Sequence, residues 1–280
     1  MNRNKITITL RQELIKRIDL SVDGEKIRNR SHAIEYLLGH ALTPKVSKAL
    51  ILAGGRGLKM KPLTEELPKP LLPIHGRPVL QHQIELLRNF DVRDVYILIG
   101  HLGEKVKYYF GDGSKFGINI TYIEQPRREL GTGYALYLTR NFFAQDPFVM
   151  IYGDELIDIN LKDFIDYYLE SNPIAVIALT STKHPHPYGA ARLRGDSIVE
   201  FMEKPNAREA SSHVISAGLF CLNPKIFQHL NSKTSLALEK NVFPELAKES
   251  NLKGYLFEGQ WFDIGTPEIY AKAIREWKSG

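Results

Sequence analysis

The chain has 280 residues, of which 43% are hydrophobic and 25% are charged, a composition typical of a soluble globular protein. This length suffices for one large domain, or for a large domain and a small one. The single cysteine, Cys221, excludes an intramolecular disulfide and a multi-cysteine metal site. Because no apolar run has the length of a membrane span and no signal-peptide pattern is present, we expect a cytoplasmic protein that does not enter membranes.

The net charge of +5 is concentrated near the N-terminus. Residues 1–47 contain nine lysines and arginines and five acidic residues, so they carry +4 of the total. This asymmetry predicts either a polyanionic partner for the N-terminal segment or a solvated basic surface.

Residues 1–43 predict a small separate domain that begins with a strand. Apolar and polar residues alternate strictly over 5–10, which is typical of a β-strand with one polar face. That polar face consists of Lys5, Thr7 and Thr9.

Two helices are predicted after this strand. Leu14, Ile15 and Ile18 have helical spacing, and Asp23-Gly24 then indicates a turn. A second helix opens at Asn29-Arg30-Ser31, with Ser31 as the expected N-cap. Because one strand and two helices cannot bury a core within about 40 residues, we expect two chains to pair.

This pattern over residues 4–42 resembles the ribbon-helix-helix fold of small DNA-binding repressors. The resemblance implies a homodimer at least, whose two-stranded ribbon enters the major groove of double-stranded DNA, and by analogy a tetramer on two half-sites. The DNA contacts that it implies are the side chains of Lys5, Thr7 and Thr9, which face base edges, and the backbone N–H groups near Asn29, Arg30 and Ser31, which hold a phosphate. The alternative is a module that only dimerises the protein.

Residues 44–47 predict a short linker, and residues 48–280 predict an α/β domain. Apolar runs at 95–99 and 148–152 alternate with helical patterns at 79–90 and 134–143. This alternation predicts a mostly parallel twisted sheet with helices on both faces, in which ligands bind at the carboxyl ends of the strands.

A glycine-rich loop, Gly54-Gly55-Arg56-Gly57, directly follows the apolar run 49–52. Glycines let backbone N–H groups approach phosphate oxygens, and lysines at 59, 61 and 69 supply positive charge. The spacing is not that of a Walker P-loop, and Met60 stands where a dinucleotide fingerprint has glycine. The loop therefore predicts a phosphate site of another kind.

The order Leu-Ala-Gly-Gly-x-Gly, Pro-Leu-Thr and Pro-Lys-Pro resembles the sugar-1-phosphate nucleotidyltransferases, also called NDP-sugar pyrophosphorylases, which have a Rossmann-like fold. Leu58 and Lys59 replace the threonine and arginine that usually follow this loop. The resemblance implies an NTP and a sugar-1-phosphate as substrates. It implies Lys59, Lys69 and Lys204 as catalytic residues, and Leu52, Ala53, Gly54, Gly55, Gly57, Gln125 and Gly131 as nucleotide-binding residues.

Further motifs carry the same resemblance. Gly153-Asp154 follows the strand at 148–152, and Trp261-Phe262-Asp263-Ile264-Gly265-Thr266-Pro267 resembles the family's closing segment. They imply Asp154 and Asp263 as ligands of Mg²⁺, which favours carboxylate oxygens. Three more motifs imply sugar contacts, with serine at position 216 where many relatives have asparagine. These contacts are Tyr188, Gly189, Glu203 and Ser216.

The sequence therefore predicts a DNA-binding protein with a nucleotidyltransferase domain that forms an NDP-sugar and releases pyrophosphate. The alternative is a transcription regulator whose enzyme-like domain is catalytically impaired and acts as a nucleotide or NDP-sugar sensor or as an oligomerisation domain. Leu58, Lys59 and Ser216 favour this alternative, whereas the retained Asp154 and Asp263 favour catalysis.

Overall fold

The structure is a computed structural model that describes residues 7–24, 27–42, 46–126, 131–206, 212–233 and 235–278. Contacts divide the chain into two compact units, Met1–Lys45 and Val46–Gly280. Residues 44 and 45 of the predicted linker lie outside the described residues. No described helix is both long enough and apolar enough to cross a bilayer.

The N-terminal unit consists of helices α1 (Gln12–Leu20) and α2 (Arg30–Leu42). The Arg30 guanidinium donates two hydrogen bonds of 2.7 Å to the Asp19 carboxylate and so links the helices. Ile18 and Ala33 are buried, but several large apolar side chains of this unit are at least 39% exposed. They are Ile8, Leu14, Leu20, Tyr36, Leu37 and Leu38.

The second helix of this unit is capped by Asn29, so the prediction of Ser31 as N-cap was wrong. The Asn29 Oδ1 accepts a hydrogen bond of 2.9 Å from the His32 backbone N–H, and α2 begins at Arg30. Asparagine and serine are both good N-caps, and the helix starts at the earlier of the two.

Of the strand predicted over residues 5–10, the described part, residues 7–10, forms no strand in the single chain. Lys5 and Ile6 lie outside the described residues, and Thr7, Ile8 and Thr9 are exposed and form no strand. A ribbon strand finds its hydrogen-bond partner in a second copy of the chain, so its pairing stays a prediction.

The larger unit begins at Val46 and contains the other described helices and all the described strands. Its helices are α3 (Leu63–Glu66), α4 (Val79–Asn89), α5 (Gly103–Phe110), α6 (Thr132–Leu138), α7 (Leu161–Ser171), α8 (Phe243–Lys248) and α9 (Pro267–Glu276). Its strands are β1 (Lys48–Ala53), β2 (Pro73–Ile74), β3 (Arg77–Pro78), β4 (Asp94–Ile99), β5 (Asn119–Glu124), β6 (Phe148–Tyr152), β7 (Glu155–Ile157), β8 (Ala175–Ser181), β9 (Gly189–Arg194), β10 (Ser197–Glu203), β11 (Val214–Leu222), β12 (Leu252–Leu256) and β13 (Trp261–Asp263).

The main sheet has the strand order β5-β4-β1-β6-β11-β8-β12-β10-β9 over the described residues. Strands β5, β4, β1 and β6 are parallel, as are β8 and β12. The remaining pairs of neighbours, which involve β9, β10 and β11, are antiparallel. Four of the eight neighbouring pairs in this order are therefore parallel, so the sheet is mixed rather than mostly parallel as the sequence predicted. One reason is the tight turn at Gly195, whose φ is 62°, because it joins β9 to β10 as a hairpin.

Helices cover both faces of the sheet. Along β1, Ala49 and Ile51 pack in a core with residues of α4, α5 and α7, whereas Leu50 packs in a second core with residues of α6 and α8. Because side chains alternate along a strand, a strand buried on both faces is continuously apolar, as the sequence 49–52 is. The helix predicted over 134–143 is shorter and ends at Leu138.

Replacing Asn29 by alanine removes the side-chain acceptor at the start of α2. We expect an Asn29→Ala chain to lose about 0.5–2 kcal/mol of stability in that helix turn, because the His32 amide loses its partner. Hydrogen exchange of that amide in the full chain measures the effect. Asn29→Ser is the matched control, since serine also caps; equal exchange rates in the two variants would contradict this account.

Candidate active site

The glycine-rich loop leaves the carboxyl end of β1 and turns at Gly57. Gly57 has a φ of 62°, and a Cβ built there would lie 2.9 Å from the Thr64 Cγ2. The Thr64 hydroxyl donates a 2.7 Å hydrogen bond to the Gly57 carbonyl oxygen. Left-handed backbone and this close approach both require glycine at position 57.

One cleft gathers residues from this loop and from the end of β6. It is lined by Leu52, Ala53, Gly55, Gly57, Lys69, Pro70, Gly153 and Asp154. The two strands are parallel neighbours, and the Gly153 amide donates a 3.0 Å hydrogen bond to the Leu52 carbonyl oxygen. A Cβ at Gly153 would lie 3.0 Å from the Ala53 Cα, so glycine permits this close packing.

The predicted nucleobase residues lie on two different elements. A Cβ built at Gly54 would lie 2.6 Å from the Gln125 Oε1, so the Gln125 side chain lies against the loop. Gly131 is the N-cap of α6, where a Cβ would lie 2.1 Å from the Leu236 carbonyl oxygen. Packing against the chain at Leu236 is therefore enough to require glycine at position 131. Leu130 lies outside the described residues.

Lys69 and Asp154 form an ion pair in the cleft. Burial disfavours the charged form of the Lys69 amine, but the negative charges of Asp154, Asp263 and Glu155 outweigh burial and raise the pKa of Lys69. Lys69 is therefore held as a cation beside the glycine-rich loop.

Three carboxylates meet beside this lysine. Asp154, Glu155 and Asp263 each offer an oxygen within 4.8 Å of the others. Strand pairing causes this, since β7 and β13 are antiparallel with Glu155 opposite Asp263, and the Ile264 amide donates a 2.9 Å hydrogen bond to the Asp154 carbonyl oxygen.

The carboxylates raise one another's affinity for protons. Burial raises the pKa of Asp263 to about 6, and the charge of Asp154 contributes in the same direction. Burial also raises the pKa of Glu155 well above its usual range, with further contributions from Asp263 and Asp154. The three lysines predicted as catalytic, Lys69, Lys59 and Lys204, all lower the pKa of Asp263, so their positive charges act on this cluster.

This donor set fits a divalent cation. Carboxylate oxygens are the ligands that Mg²⁺ and Ca²⁺ prefer in proteins. The Glu155 Oε2 is buried and has no hydrogen-bond partner among the described residues. Such an atom is costly unless another group satisfies it, and a cation would do so.

Lys59 and Lys204 lie at the edges of the site. Lys59 belongs to a short 3₁₀ helix, Leu58–Met60, and is exposed. Lys204 has a φ of 50°, and its amide donates a 3.0 Å hydrogen bond to the Tyr188 carbonyl oxygen. Its Nζ lies 3.4 Å from the Glu203 Oε1, and its side chain is 61% exposed.

Two of the predicted sugar residues, Tyr188 and Glu203, contact this lysine, and Gly189 lies beside Glu203. The rings of Tyr188 and Trp261 meet edge to face with centroids 5.1 Å apart. A Cβ at Gly189 would lie 2.4 Å from the Phe201 Cζ and 3.3 Å from the Glu203 Oε2, so this position tolerates little more than glycine. The Glu203 pKa is raised by burial and by the charge of a further residue, Glu239.

Ser216 has a different environment from the other predicted sugar residues. Its Oγ accepts a 3.3 Å hydrogen bond from the Gly218 amide, at an irregularity in β11. This local bond accounts for serine there without a sugar contact, although the side chain remains partly exposed.

Sequence reasoning missed two acidic residues. Glu155 could have been found, because it directly follows Asp154. Glu239 had no local signal: it lies on a π-helix, Leu238–Val242, and accepts hydrogen bonds from the Thr132 and Tyr152 hydroxyls, more than 80 residues away in sequence.

The model of the nucleotidyl transferase family matches residues 48–280. The chain belongs to the nucleotidyl transferase family, which confirms the family expected for those residues. Members of this family typically use divalent metal ions, in agreement with the acidic cluster.

Individual relatives resemble most of the larger unit. A UTP–glucose-1-phosphate uridylyltransferase of Synechocystis is 32% identical over 243 residues, covering 81% of this chain and 62% of the relative. The mannose-1-phosphate guanylyltransferase catalytic subunit beta of Danio rerio is 30% identical, covering 82% and 66%. The chain thus spans less than two thirds of the length of these curated relatives.

Solved structures share the fold. A Bacillus anthracis protein described as a candidate glucose-1-phosphate thymidylyltransferase, in complex with sucrose, superposes with a TM-score of 0.76. It is 28% identical, and the match covers 83% of this chain and 97% of that one. The α/β architecture of the larger unit is therefore that of known nucleotidyltransferases.

A methyl group at position 57 would disturb the loop in two separable ways. We expect Gly57→Ala to lower the free energy of unfolding by about 1–2 kcal/mol from the left-handed backbone, with an additional loss from contact with the Thr64 Cγ2. Urea unfolding of this variant measures the sum of the two losses.

The control is Gly57→Ala combined with Thr64→Ser, which keeps the hydroxyl that bonds to residue 57 and removes the Cγ2 methyl. Corrected for Thr64→Ser alone, the double variant should recover only the contact part of the loss. Full recovery would mean that the backbone at residue 57 is not left-handed.

Proposed function

We propose that residues 48–280 transfer a nucleotidyl group from an NTP to a sugar-1-phosphate and release pyrophosphate. The observation that carries this proposal is that one cleft joins the glycine-rich loop, Lys69 and Asp154, with a carboxylate oxygen of Asp263 within 4.8 Å of one of Asp154. Membership of the nucleotidyl transferase family supports it, as do relatives named for transfer to glucose-1-phosphate and mannose-1-phosphate.

The reaction needs positioning and charge neutralisation rather than a base. An oxygen of the sugar phosphate, already ionised at neutral pH, attacks the α-phosphorus of the NTP. The bond from that phosphorus to the bridging oxygen breaks, and pyrophosphate leaves with the electron pair. Because two polyanions must approach each other, fixed cations and N–H donors lower the barrier.

The phosphates are assigned to the loop and the lysines. Backbone N–H groups at Gly55 and Gly57 would hold the NTP phosphates, and Lys59 and Lys69 would neutralise the α-phosphate and the departing pyrophosphate. Lys204 would hold the phosphate of the incoming sugar. The influence of all three lysines on the pKa of Asp263 supports this assignment.

The contacts to the nucleoside and to the sugar are assigned from the positions of the predicted residues. Leu52, Ala53 and Gly54 would contact the nucleoside with Gln125 and Gly131, and Gln125 lies against Gly54 as this requires. The sugar would contact the side of the site formed by Tyr188, Gly189, Glu203 and Ser216.

Asp154 and Asp263 would hold Mg²⁺ in this site. When bound, the ion would supply positive charge against the phosphates of both substrates. Lys69 pairs with Asp154 and so fixes the orientation of that carboxylate before substrates arrive.

The test is pyrophosphate release with Mg²⁺ across a panel of NTPs and sugar-1-phosphates. We expect at least one pair to react, and Asp154→Ala to lower its rate by roughly 100-fold or more, because a central anion of the site is lost. Asp158→Ala is the matched control, since that aspartate is exposed and four residues away.

The possible results of this assay lead to different conclusions about the site. Turnover that survives Asp154→Ala would remove Asp154 from the site. Nucleotide binding without turnover across the panel would favour the sensor alternative. Absence of both binding and turnover would contradict the proposal.

We further propose that the N-terminal unit is a ribbon-helix-helix dimer that binds double-stranded DNA in the major groove. The favouring observation is its exposed apolar surface, since Leu14, Leu20 and Leu37 are 39–86% exposed in a unit too small to bury them alone. A second copy would cover them. The concentration of positive charge in residues 1–47 supports an anionic partner.

At the second helix the resemblance implies a phosphate contact through backbone N–H groups near Asn29, Arg30 and Ser31, and the side chains described there are in keeping with it. The Arg30 guanidinium is occupied by Asp19, and the Asn29 side chain caps α2. The first turn of α2 would therefore contact a phosphate through backbone N–H groups, with Ser31 exposed beside them. Lys5, Thr7 and Thr9 keep the base-reading role in this proposal.

DNA selection from duplexes with a randomised centre tests this proposal on the full chain. We expect a preferred site, affinity that falls steeply with salt, and a loss of about tenfold or more when Lys5→Ala and Thr7→Ala are combined. Lys16→Ala is the control, because it removes one exposed charge from α1 instead. An equal loss in both variants, or no selected site, would contradict base reading by the ribbon.

A further inference from the structure

Glu155 is a buried carboxylate that the roles proposed above do not use. It is 6% exposed, and its Oε2 has no hydrogen-bond partner within the described part of the chain. Lys69 and the Trp261 side chain favour the charged form of Glu155, but burial and the two neighbouring carboxylates outweigh them and raise its pKa. An ionised carboxylate in such a place is costly unless a cation or a donor satisfies it. A cation bound at the Glu155 Oε2 would remove this cost.

Glu155 is held on two sides, at its backbone and at its side chain. The Gln83 amide group donates hydrogen bonds to the carbonyl oxygens of Tyr152 (2.8 Å) and Glu155 (2.7 Å), which holds the turn between β6 and β7. On the other side, a Cβ at Gly218 would lie 2.6 Å from the Glu155 Oε1, and Gly218 has a φ of 71°. Only glycine at position 218 leaves room for this carboxylate.

The distances suit one shared ion. The ligand oxygens of Asp154, Glu155 and Asp263 lie within 4.8 Å of one another. Oxygens on opposite sides of a cation with bonds of about 2.0–2.6 Å are separated by about 4–5 Å. A single ion can therefore contact all three carboxylates with small side-chain adjustments.

The charges also balance around a divalent ion. Three carboxylates and the paired Lys69 carry a formal charge of −2, which one divalent cation neutralises. Asp154, Asp263 and Lys69 alone carry −1. Lys59 and Lys204 are exposed, so they remain available to phosphates.

We infer that Glu155 is a third protein ligand of the divalent cation, so that the site binds this ion before any nucleotide arrives. The inference rests on the proposed function for the purpose of the ion, although its test does not require turnover. It assigns to Glu155 a role that Asp154 and Asp263 were expected to fill alone.

The test is a titration of the full chain with Mn²⁺ alone, in which the electron paramagnetic resonance signal reports free Mn²⁺. We expect the wild type to bind one ion without nucleotide, and Glu155→Gln to raise the Kd by roughly 10–100-fold. Glu200→Gln is the control, since Glu200 is a half-exposed carboxylate paired with Arg192 and is not one of the three clustered carboxylates. No binding by the wild type, or an unchanged Kd in Glu155→Gln, overturns the inference.

Thermal unfolding distinguishes a loss of Mn²⁺ binding from misfolding of the variant. Without metal, Glu155→Gln should melt at or above the wild-type temperature, because a neutral amide replaces a carboxyl group whose charged form is disfavoured by burial and by its two acidic neighbours. Added Mn²⁺ should raise the melting temperature of the wild type more than that of the variant. Equal Mn²⁺-dependent shifts would overturn the inference. Glu155→Asp, which keeps the charge, should restore part of the shift even if the glutamine variant is unstable.

Failure of the inference and failure of the proposed function give different results. Turnover in the wild type with unchanged Mn²⁺ binding in Glu155→Gln would remove Glu155 from the centre and leave the proposed reaction intact. Mn²⁺ binding that depends on Glu155, without turnover on any substrate pair, would support the metal centre and contradict the reaction.

Discussion

The parallel pairing of β1 with β6 brings the glycine-rich loop and Asp154 to the same end of the sheet. The Gly153 amide bonds to the Leu52 carbonyl oxygen, so the turn after β6 lies directly against the turn after β1. Lys69 then pairs with Asp154 across the cleft. The phosphate contacts proposed for the loop and for Lys69 depend on this register, because a one-residue slip would reverse the side chains of a strand that is buried on both faces.

The two-stranded pairing of β7 with β13 adds the second half of the site. It places Asp263 opposite Glu155, although the two residues are more than 100 positions apart in sequence. Burial and mutual repulsion both disfavour three ionised carboxylates so close together, and these two effects raise the pKa of Asp263 and of Glu155. Lys69 offsets one charge. A bound cation would therefore stabilise this arrangement of carboxylates.

The sequence predicted the parts of the site that follow strands directly, because a loop at a strand end is fixed by local pattern. Gly54 to Gly57 after β1 and Asp154 after β6 are such cases, and strands 95–99 and 148–152 were found from apolar runs alone. Glu239 and the antiparallel β9–β11 region were not predictable in this way. Their positions depend on pairings between distant segments, such as Thr132 with Glu239, which periodicity does not contain.

The choice between catalysis and sensing depends in part on how the loop is held. Leu58 is 56% exposed, and the loop is closed instead by Thr64, whose hydroxyl bonds to the Gly57 carbonyl oxygen, and by the Met60 amide, which bonds to the same oxygen at 2.8 Å. A threonine at position 58 is therefore not needed to shape this loop. Lys59 remains a flexible point charge where an arginine would give two fixed donors. The structure thus accounts for the shape of the loop without a threonine at position 58. The choice between catalysis and sensing depends on the missing hydroxyl at Leu58, on Lys59 and on Ser216.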